Sequence, residues 1–378
     1  MSLELFELGE VPWWEAQWIY HALPRLGRPA LVLCWPDRPH LCLGHSQDLE
    51  AEVDLEFCAR RRLPVFRRAV GGGLVYLDSR QVFFQLVLPR GGWRPVAEVY
   101  RRCLEPVVAA LSSLGLGATL RPPADVVVSG RKISGNGGGD LSGHPVVVGN
   151  VLLDFDYETM TAALRAPNPV FRELVARRMR RRLTTLSREL RRVPSRRVLA
   201  RLLAASFEAA LGPFRRGRVD EALRREMARV GSEMASPDWP DHDRRPAEGR
   251  DVKIAEGCYV RHRALPAVPL TATWVEEEGL LREVSFGGEV AEASPAVWAR
   301  AGRVLEGVPA RAEAVAGVLA GAVREVPGEW LVSLFCGRTA AASGWSLAAA
   351  VPARGDDGVR EREGVPLGRD GAQVAVPC

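Results

Sequence analysis

Arg67-Arg68-Ala69-Val70-Gly71-Gly72-Gly73-Leu74-Val75-Tyr76-Leu77-Asp78 sets three consecutive glycines between two short apolar runs. The runs 64–66 and 74–77 read as strands, bounded as they are by proline, glycine and aspartate. Three glycines between strands let a backbone approach a ligand with no side chain in the way. The arginines before them can fork onto a carboxylate or a phosphate. A plain glycine-rich hairpin turn is the alternative reading. Outward from this stretch, further apolar runs at 30–35, 40–43 and 81–88 read as strands, and 125–128 and 145–153 follow later. Helical spacing of apolar residues marks 11–26 and 95–114, with Pro106 inside the second. The first half of the chain is therefore expected to be an α+β or mixed α/β domain with a substantial sheet.

At 378 residues the chain is long enough for two domains. Its net charge of +5 is too mild to call for nucleic acid by itself. No run of about 18 apolar residues is present, so no membrane span is expected, and the first residues carry no basic-then-apolar signal. Seven scattered cysteines without a C-x-x-C pair argue against a zinc site or a disulfide framework and fit a reduced cytoplasm. From 157 to 230 the pattern turns helical and basic, with eleven arginines in 172–197. Without aromatic residues between them, these read as a solvated face or a docking patch for an acidic protein rather than a nucleic-acid surface. The expected organisation is a catalytic-type domain over 1–235, a Pro- and Asp-rich linker at 236–250, a smaller domain over 251–351 and a disordered tail at 352–378. In the smaller domain 252–263, 271–276 and 280–286 read as strands. Ser294 and Pro295 open a helix, and another spans 311–324.

Positive charge in this chain is almost entirely arginine: 51 basic residues include only Lys132 and Lys253. Lys132 lies in Gly130-Arg131-Lys132-Ile133-Ser134-Gly135-Asn136, followed by Gly137 to Gly139. Lysine offers a compact point charge that can sit between two anionic groups. The segment is neither a Walker A loop nor a dinucleotide fingerprint: the G-x-x-x-x-G-K-[ST] spacing fails at Lys132, and Asp140 stands where the third glycine of G-x-G-x-x-G is needed. Two further pieces are Gly44-His45-Ser46-Gln47 and His144 with the apolar 148–154 run.

Taken in order, these pieces resemble the lipoate-protein ligase family, within the biotin/lipoate ligase superfamily. That family shows a G-x-x-Q turn, then R-R-x-x-G-G-G-x-V-[YF]-x-D. An Asp-containing strand leads next into G-[RK]-K-[IV]-S-G, then come a histidine and a short apolar strand. The resemblance is strong over 40–165 and weaker in 281–307, which is similar to the small accessory domain of these ligases. It implies an α+β fold: a mixed-sheet catalytic domain with helices, followed by a smaller α+β accessory domain. It implies an enzyme that uses ATP and Mg to convert lipoate or octanoate to the acyl-AMP. The acyl group then passes to a lysine of a lipoyl-domain carrier, such as a dehydrogenase E2, a glycine cleavage H protein or another lipoate-binding protein. Lys132 would be the catalytic lysine. Arg68, Gly71, Gly72, Gly73, Val75, Tyr76, Gly135 and His144 would hold the lipoate or acyl-adenylate. Leu74, Val75, Tyr76, Leu77, Asp125 and Lys132 would contact ATP, and Asp125 would also meet Mg. The acyl tail would lie in an apolar tunnel beside the sheet.

The chain departs from the family at Val70, where Ser or Thr is common, at Leu77, where His is common, and at Ala124, where Asn precedes the Asp. A superfamily octanoyltransferase working through a cysteine thioester is the main alternative, yet no cysteine lies between Cys103 and Cys258. A biotin ligase fits less well, since its arginine-rich loop is replaced by Gly-Gly-Gly. A degenerate member that only binds carrier protein would have no need to keep Lys132.

Overall fold

The computed structural model describes residues 3–90, 95–236, 239, 249–266, 268–290 and 293–335. Its strands are β1 Glu4–Val11, β2 Ala30–Pro36, β3 His40–Leu43, β4 Val65–Arg67, β5 Val75–Leu77, β6 Gln81–Val87, β7 Ala118–Arg121, β8 Asp125–Val128, β9 Arg131–Leu141, β10 His144–Leu152, β11 Arg215–Arg216, β12 Gly249–Ala255, β13 Cys258–Ala264, β14 Leu270–Glu277 and β15 Leu280–Gly288. Eight of them form one sheet in the order β11-β1-β2-β6-β10-β9-β8-β7. β1 runs parallel to β2 and β11, and the remaining neighbours are antiparallel. The class is α+β with a mixed sheet.

β2 and β6 are buried along their whole length because helices cover both faces of the sheet. Leu31, Leu33, Phe84 and Leu86 pack against the helices Val96–Ser112 and Arg196–Leu211. Val32, Cys34, Phe83 and Val87 pack against Trp13–Arg25 and Glu221–Met234. A three-stranded sheet, β4-β3-β5, stands beside this body and carries the triple glycine between β4 and β5.

The glycine-rich segment following Lys132 is not a loop. Gly135 to Gly139 lie within β9, an eleven-residue strand. Glycine is a poor strand residue by propensity, and here close approach of neighbouring backbone overrides propensity. A Cβ at Gly137 would sit 2.8 Å from the carbonyl oxygen of Gly71. The expected strand over 252–263 is also corrected: β12 and β13 form a hairpin that turns at Glu256-Gly257, with Gly257 at φ +71°.

β12 to β15 form a separate four-stranded sheet. Its Leu270, Ala272, Trp274 and Leu281 face the helices Pro295–Val304 and Ala312–Ala322. Its Val252, Ile254, Val260 and Val275 pack with Leu41, Tyr76, Met160 and Phe171 from the first body. The tail 352–378 lies outside the described residues, as does most of the linker 236–250.

The arginine-rich helix Pro169–Arg182 takes part in this seam rather than presenting one solvated face. Asn168 caps it by accepting from Phe171 N–H at 2.8 Å. Arg178, 4% exposed, pairs with Glu277 at 3.2 Å and also with Glu283. Arg182 donates Nε–H to Glu277 at 2.6 Å, and Arg177 pairs with Glu283. Three arginines therefore bind the second sheet, Arg178 and Arg182 through buried or half-buried ion pairs and Arg177 through an exposed one, while Arg180 pairs with Glu158 within the first body.

One buried histidine, His21, supports the segment that carries the triple glycine. His21 Nδ1 bonds the Gln17 carbonyl at 2.7 Å, and Ala69 N–H donates to His21 Nε2 at 3.0 Å. Only the neutral ring can donate at one nitrogen and accept at the other. Burial holds the pKa of His21, and likewise of His40, down to about 3. Between pH 6.5 and 3 the unfolded chain binds protons that the native state refuses, so stability is full above pH 6.5 and falls as pH drops. Each histidine should cost about 1.4 kcal/mol at pH 5.5. Urea unfolding at pH 7.5 and 5.5 measures this. His21→Gln should lessen the difference, and an unchanged difference would show that His21 does not carry it.

Candidate functional site

The site is built around the turn between β4 and β5. Arg68 is 6% exposed, and its donors are spent on this turn. Nη1 donates to Cys42 O at 3.0 Å, Nη2 to Gly71 O at 3.0 Å and Gly73 O at 2.9 Å, and Nε to Gly71 O at 3.2 Å. Arg67 similarly donates to the carbonyls of Gly44, His45 and Gln47, and Gly44 N–H donates to Gln47 Oε1 at 3.0 Å. The two arginines therefore act as internal clamps that shape the glycine backbone. Gly72 takes φ +107°, which favours glycine. The turn sits so close to Gly44 that a Cβ there would lie 1.9 Å from Gly72 O.

Opposite the turn, β8 and β9 present Asp125 and Lys132. Lys132 Nζ pairs with Asp125 Oδ1 at 2.7 Å. A register shift between Val126 and Val127 in the β8–β9 pairing lies beside this pair. Asp125 is 2% exposed, and its Oδ2 accepts from Glu256 N–H at 2.7 Å. One buried carboxylate thus joins the lysine to the second sheet. Gly135 gives the lysine stem its path: a Cβ there would lie 3.3 Å from Lys132 Cε. Gly135 N–H donates to Asn150 Oδ1 at 3.1 Å, and Asn150 donates to Gln81 Oε1 at 2.5 Å.

These groups line one cavity of about 210 Å³. Of the residues singled out in the sequence, Arg68, Gly72, Gly73, Leu74, Val75, Tyr76, Leu77, Asp125, Lys132 and Gly135 line it. Gly71 stands just behind, turning its N–H to Gly138 O at 3.2 Å and its carbonyl to Arg68. His144 is placed elsewhere: its Nδ1 bonds Leu88 O at 2.8 Å, and Arg90 donates to its Nε2 at 3.2 Å. It fastens the start of β10 and does not line the cavity.

Residues 11–208 match the model of the lipoyl protein ligase A/B catalytic domain. The chain belongs to this family. Relatives of this lipoyl protein ligase family member include the lipoate-protein ligase LplJ of Bacillus subtilis, 28% identical over 156 residues. That match covers 41% of this chain and 46% of LplJ, so the chain spans about half the length of this relative. The octanoyltransferase LipM of Kyrpidia tusciae is 30% identical over 210 residues, 49% of this chain and 76% of that protein. A structure of a bi-partite lipoate protein ligase from Thermoplasma acidophilum, studied with its E2 lipoyl domain, shares the fold. Its TM-score is 0.59 at 24% identity, over 65% of this chain and 98% of that one.

Within this lipoyl protein ligase cavity, several lining residues carry no motif. The buried end is formed by Gln17, Tyr20, Cys42, Phe83 and Gln85. Its polar groups mostly satisfy one another. Gln17 donates to His40 Nε2 at 2.9 Å and accepts from Tyr20 OH at 3.3 Å and the Cys42 thiol at 3.7 Å. Gln85 Nε2 donates to Ala16 O at 2.6 Å, while its Oε1 has no partner. Asn136 and Asn150 line the middle, and Lys253, Ile254 and Glu256 arrive from the β12–β13 hairpin. Glycine-flanked Asn136 was visible beside Lys132 in the sequence. The hairpin residues lie more than a hundred positions away and gave no local signal. Among the described residues no cluster of three or more His, Cys, Asp or Glu side chains could hold a metal alone, and no helix is long and apolar enough to cross a membrane.

Proposed function

We propose that this protein is an ATP-dependent lipoate-protein ligase that activates lipoate or octanoate and transfers the acyl group to a lipoyl-domain carrier protein. The observation that carries this reading is Lys132, paired with buried Asp125, in a cavity whose facing wall is a glycine backbone held by two arginines. In the first half-reaction a carboxylate oxygen attacks the α-phosphorus of ATP and pyrophosphate leaves. Two anions must meet, and Lys132 supplies the cation between them. Gly72 and Gly73 let the adenylate lie against the backbone. In the second half-reaction the carrier lysine attacks the acyl carbonyl as a free amine, loses its proton to solvent, and AMP leaves. The cavity carboxylates Asp125 and Glu256 suit a magnesium ion held mainly by nucleotide phosphates, and they would contact it there. Bound magnesium would neutralise phosphate charge. Both Asp125 oxygens are already engaged, so its first duty is to orient Lys132. The sheet of β12–β15 and its helices form the proposed accessory domain, and the proposed setting is the cytoplasm.

A second reading has one observation in its favour. Cys42 lines the cavity, and the LipM relative is an octanoyltransferase. Burial pushes the Cys42 thiol up, and the nearby Arg68 guanidinium only partly offsets this. A thiol kept protonated is a weak nucleophile. Mass spectrometry of a lipoyl domain incubated with the protein decides between the readings. Acylation should require ATP together with free lipoate or octanoate, and Cys42→Ser should retain it. Transfer from an octanoylated carrier without ATP, abolished by Cys42→Ser, would establish the thioester route instead.

A further inference from the structure

Both lysines of the chain reach the same cavity although they belong to different sheets. Lys253 is on β12, and its Nζ pairs with Glu256 Oε1 at 2.6 Å. Lys132 pairs with Asp125 at 2.7 Å, and the two ion pairs are tied by the Glu256 N–H bond to Asp125 Oδ2 at 2.7 Å. Arg68, the other cationic side chain of the lining, has its donors committed to backbone carbonyls. The lysines are therefore the cations that can turn to a ligand by leaving a carboxylate.

Their side chains differ in exposure. The inner residues Tyr20 and Cys42 are 1% exposed, the Lys132 side chain 18% and the Lys253 side chain 29%. A substrate entering tail first would set its apolar chain inside, its reacting carboxyl at Lys132 and its most charged part nearest the mouth. We propose that Lys253 is a binding residue for the polyphosphate of the nucleoside triphosphate, brought to the catalytic body by the second sheet. The proposal rests on the adenylating reading above. A lysine ammonium has three donors, so Nζ can keep Glu256 and still meet two phosphate oxygens. A point charge also suits a polyphosphate whose oxygens shift as pyrophosphate departs.

The test is calorimetric binding of ATP with magnesium, and separately of AMP, to the full-length protein. Lys253→Gln should weaken ATP about 10- to 100-fold and leave AMP unchanged, since AMP lacks the β- and γ-phosphates. Lys253→Arg, which keeps the charge, should recover most of the ATP affinity. Unchanged AMP binding shows that the variant is folded. Equal ATP affinity in Lys253→Gln and the unmodified protein would overturn the assignment to Lys253 alone. Parallel loss of ATP and AMP would overturn it as well, making the lysine a structural support. Absence of ATP binding in the unmodified protein would instead overturn the ligase reading, and this inference with it.

Discussion

Lys132→Ala is expected to lower acyl-adenylate formation by about 10³-fold or more, read as pyrophosphate exchange into ATP that depends on lipoate or octanoate. Removing one neutral donor aimed at developing charge commonly costs about 10²- to 10³-fold, and Lys132 supplies a full charge where two anions meet. The same substitution leaves Asp125, 2% exposed, with the Glu256 N–H as its remaining partner. Removing one member of a buried pair destabilises by about 3 kcal/mol or more. Stability and chemistry are separable: adding Asp125→Asn to Lys132→Ala should restore much of the stability and none of the exchange. Lys132→Arg should be nearly as inactive as the alanine variant. The lysine stem runs close past Gly135, and a planar guanidinium cannot take the place of a point charge between carboxyl and phosphate. Near-normal exchange in Lys132→Ala would remove this residue from the chemistry, and an active arginine variant would show that charge alone suffices.

Gly44→Ala should be the most damaging single methyl addition near the site. Its Cβ would fall 1.9 Å from Gly72 O, well inside contact distance, and the obstacle is backbone rather than a flexible side chain. The turn, fastened by Arg68, has to shift by about 1 Å, and displacement of that size at a reacting centre can cost about 10²-fold. kcat/KM for the acid should fall accordingly. Gly117→Ala is the control, because nothing lies within 4 Å of its added methyl. Equal activity in the two variants would mean that the turn does not position the substrate.

Much of this was legible in the chain because its signals are local. Glycines between apolar runs marked the turn. Short apolar runs bounded by Gly, Pro or Asp marked most of the main strands, and the order of motifs marked Lys132 and Asp125. The parts that escaped are those whose reason lies elsewhere in the fold. The run Gly135–Gly139 looks unsuited to a strand until Gly71 is seen against it. β1 carries Glu4, Glu7 and Glu10, and its burial is confined to Phe6 and Val11, so a weak pattern hid a strand that pairs with β2. The arginines of 172–182 looked like a free surface, since their partners Glu277 and Glu283 lie about a hundred residues on. His144 was tied to the site by motif order alone, and its hydrogen bonds to Leu88 and Arg90 place it at the end of a strand. Lys253 had scarcity but no motif, and only the pairing of two sheets reveals its company.

The near-absence of lysine has a practical corollary. Apart from the α-amine, the chain offers primary amines only at Lys132 and Lys253, and both line the cavity. Reagents that acylate amines, which on most proteins scatter over the surface, become site-directed here. A succinimidyl ester would label the functional cavity, and protection by a bound nucleotide would report its occupancy. Amine-coupled immobilisation through side chains would block the very site it was meant to display, whereas the arginine surface stays inert to both.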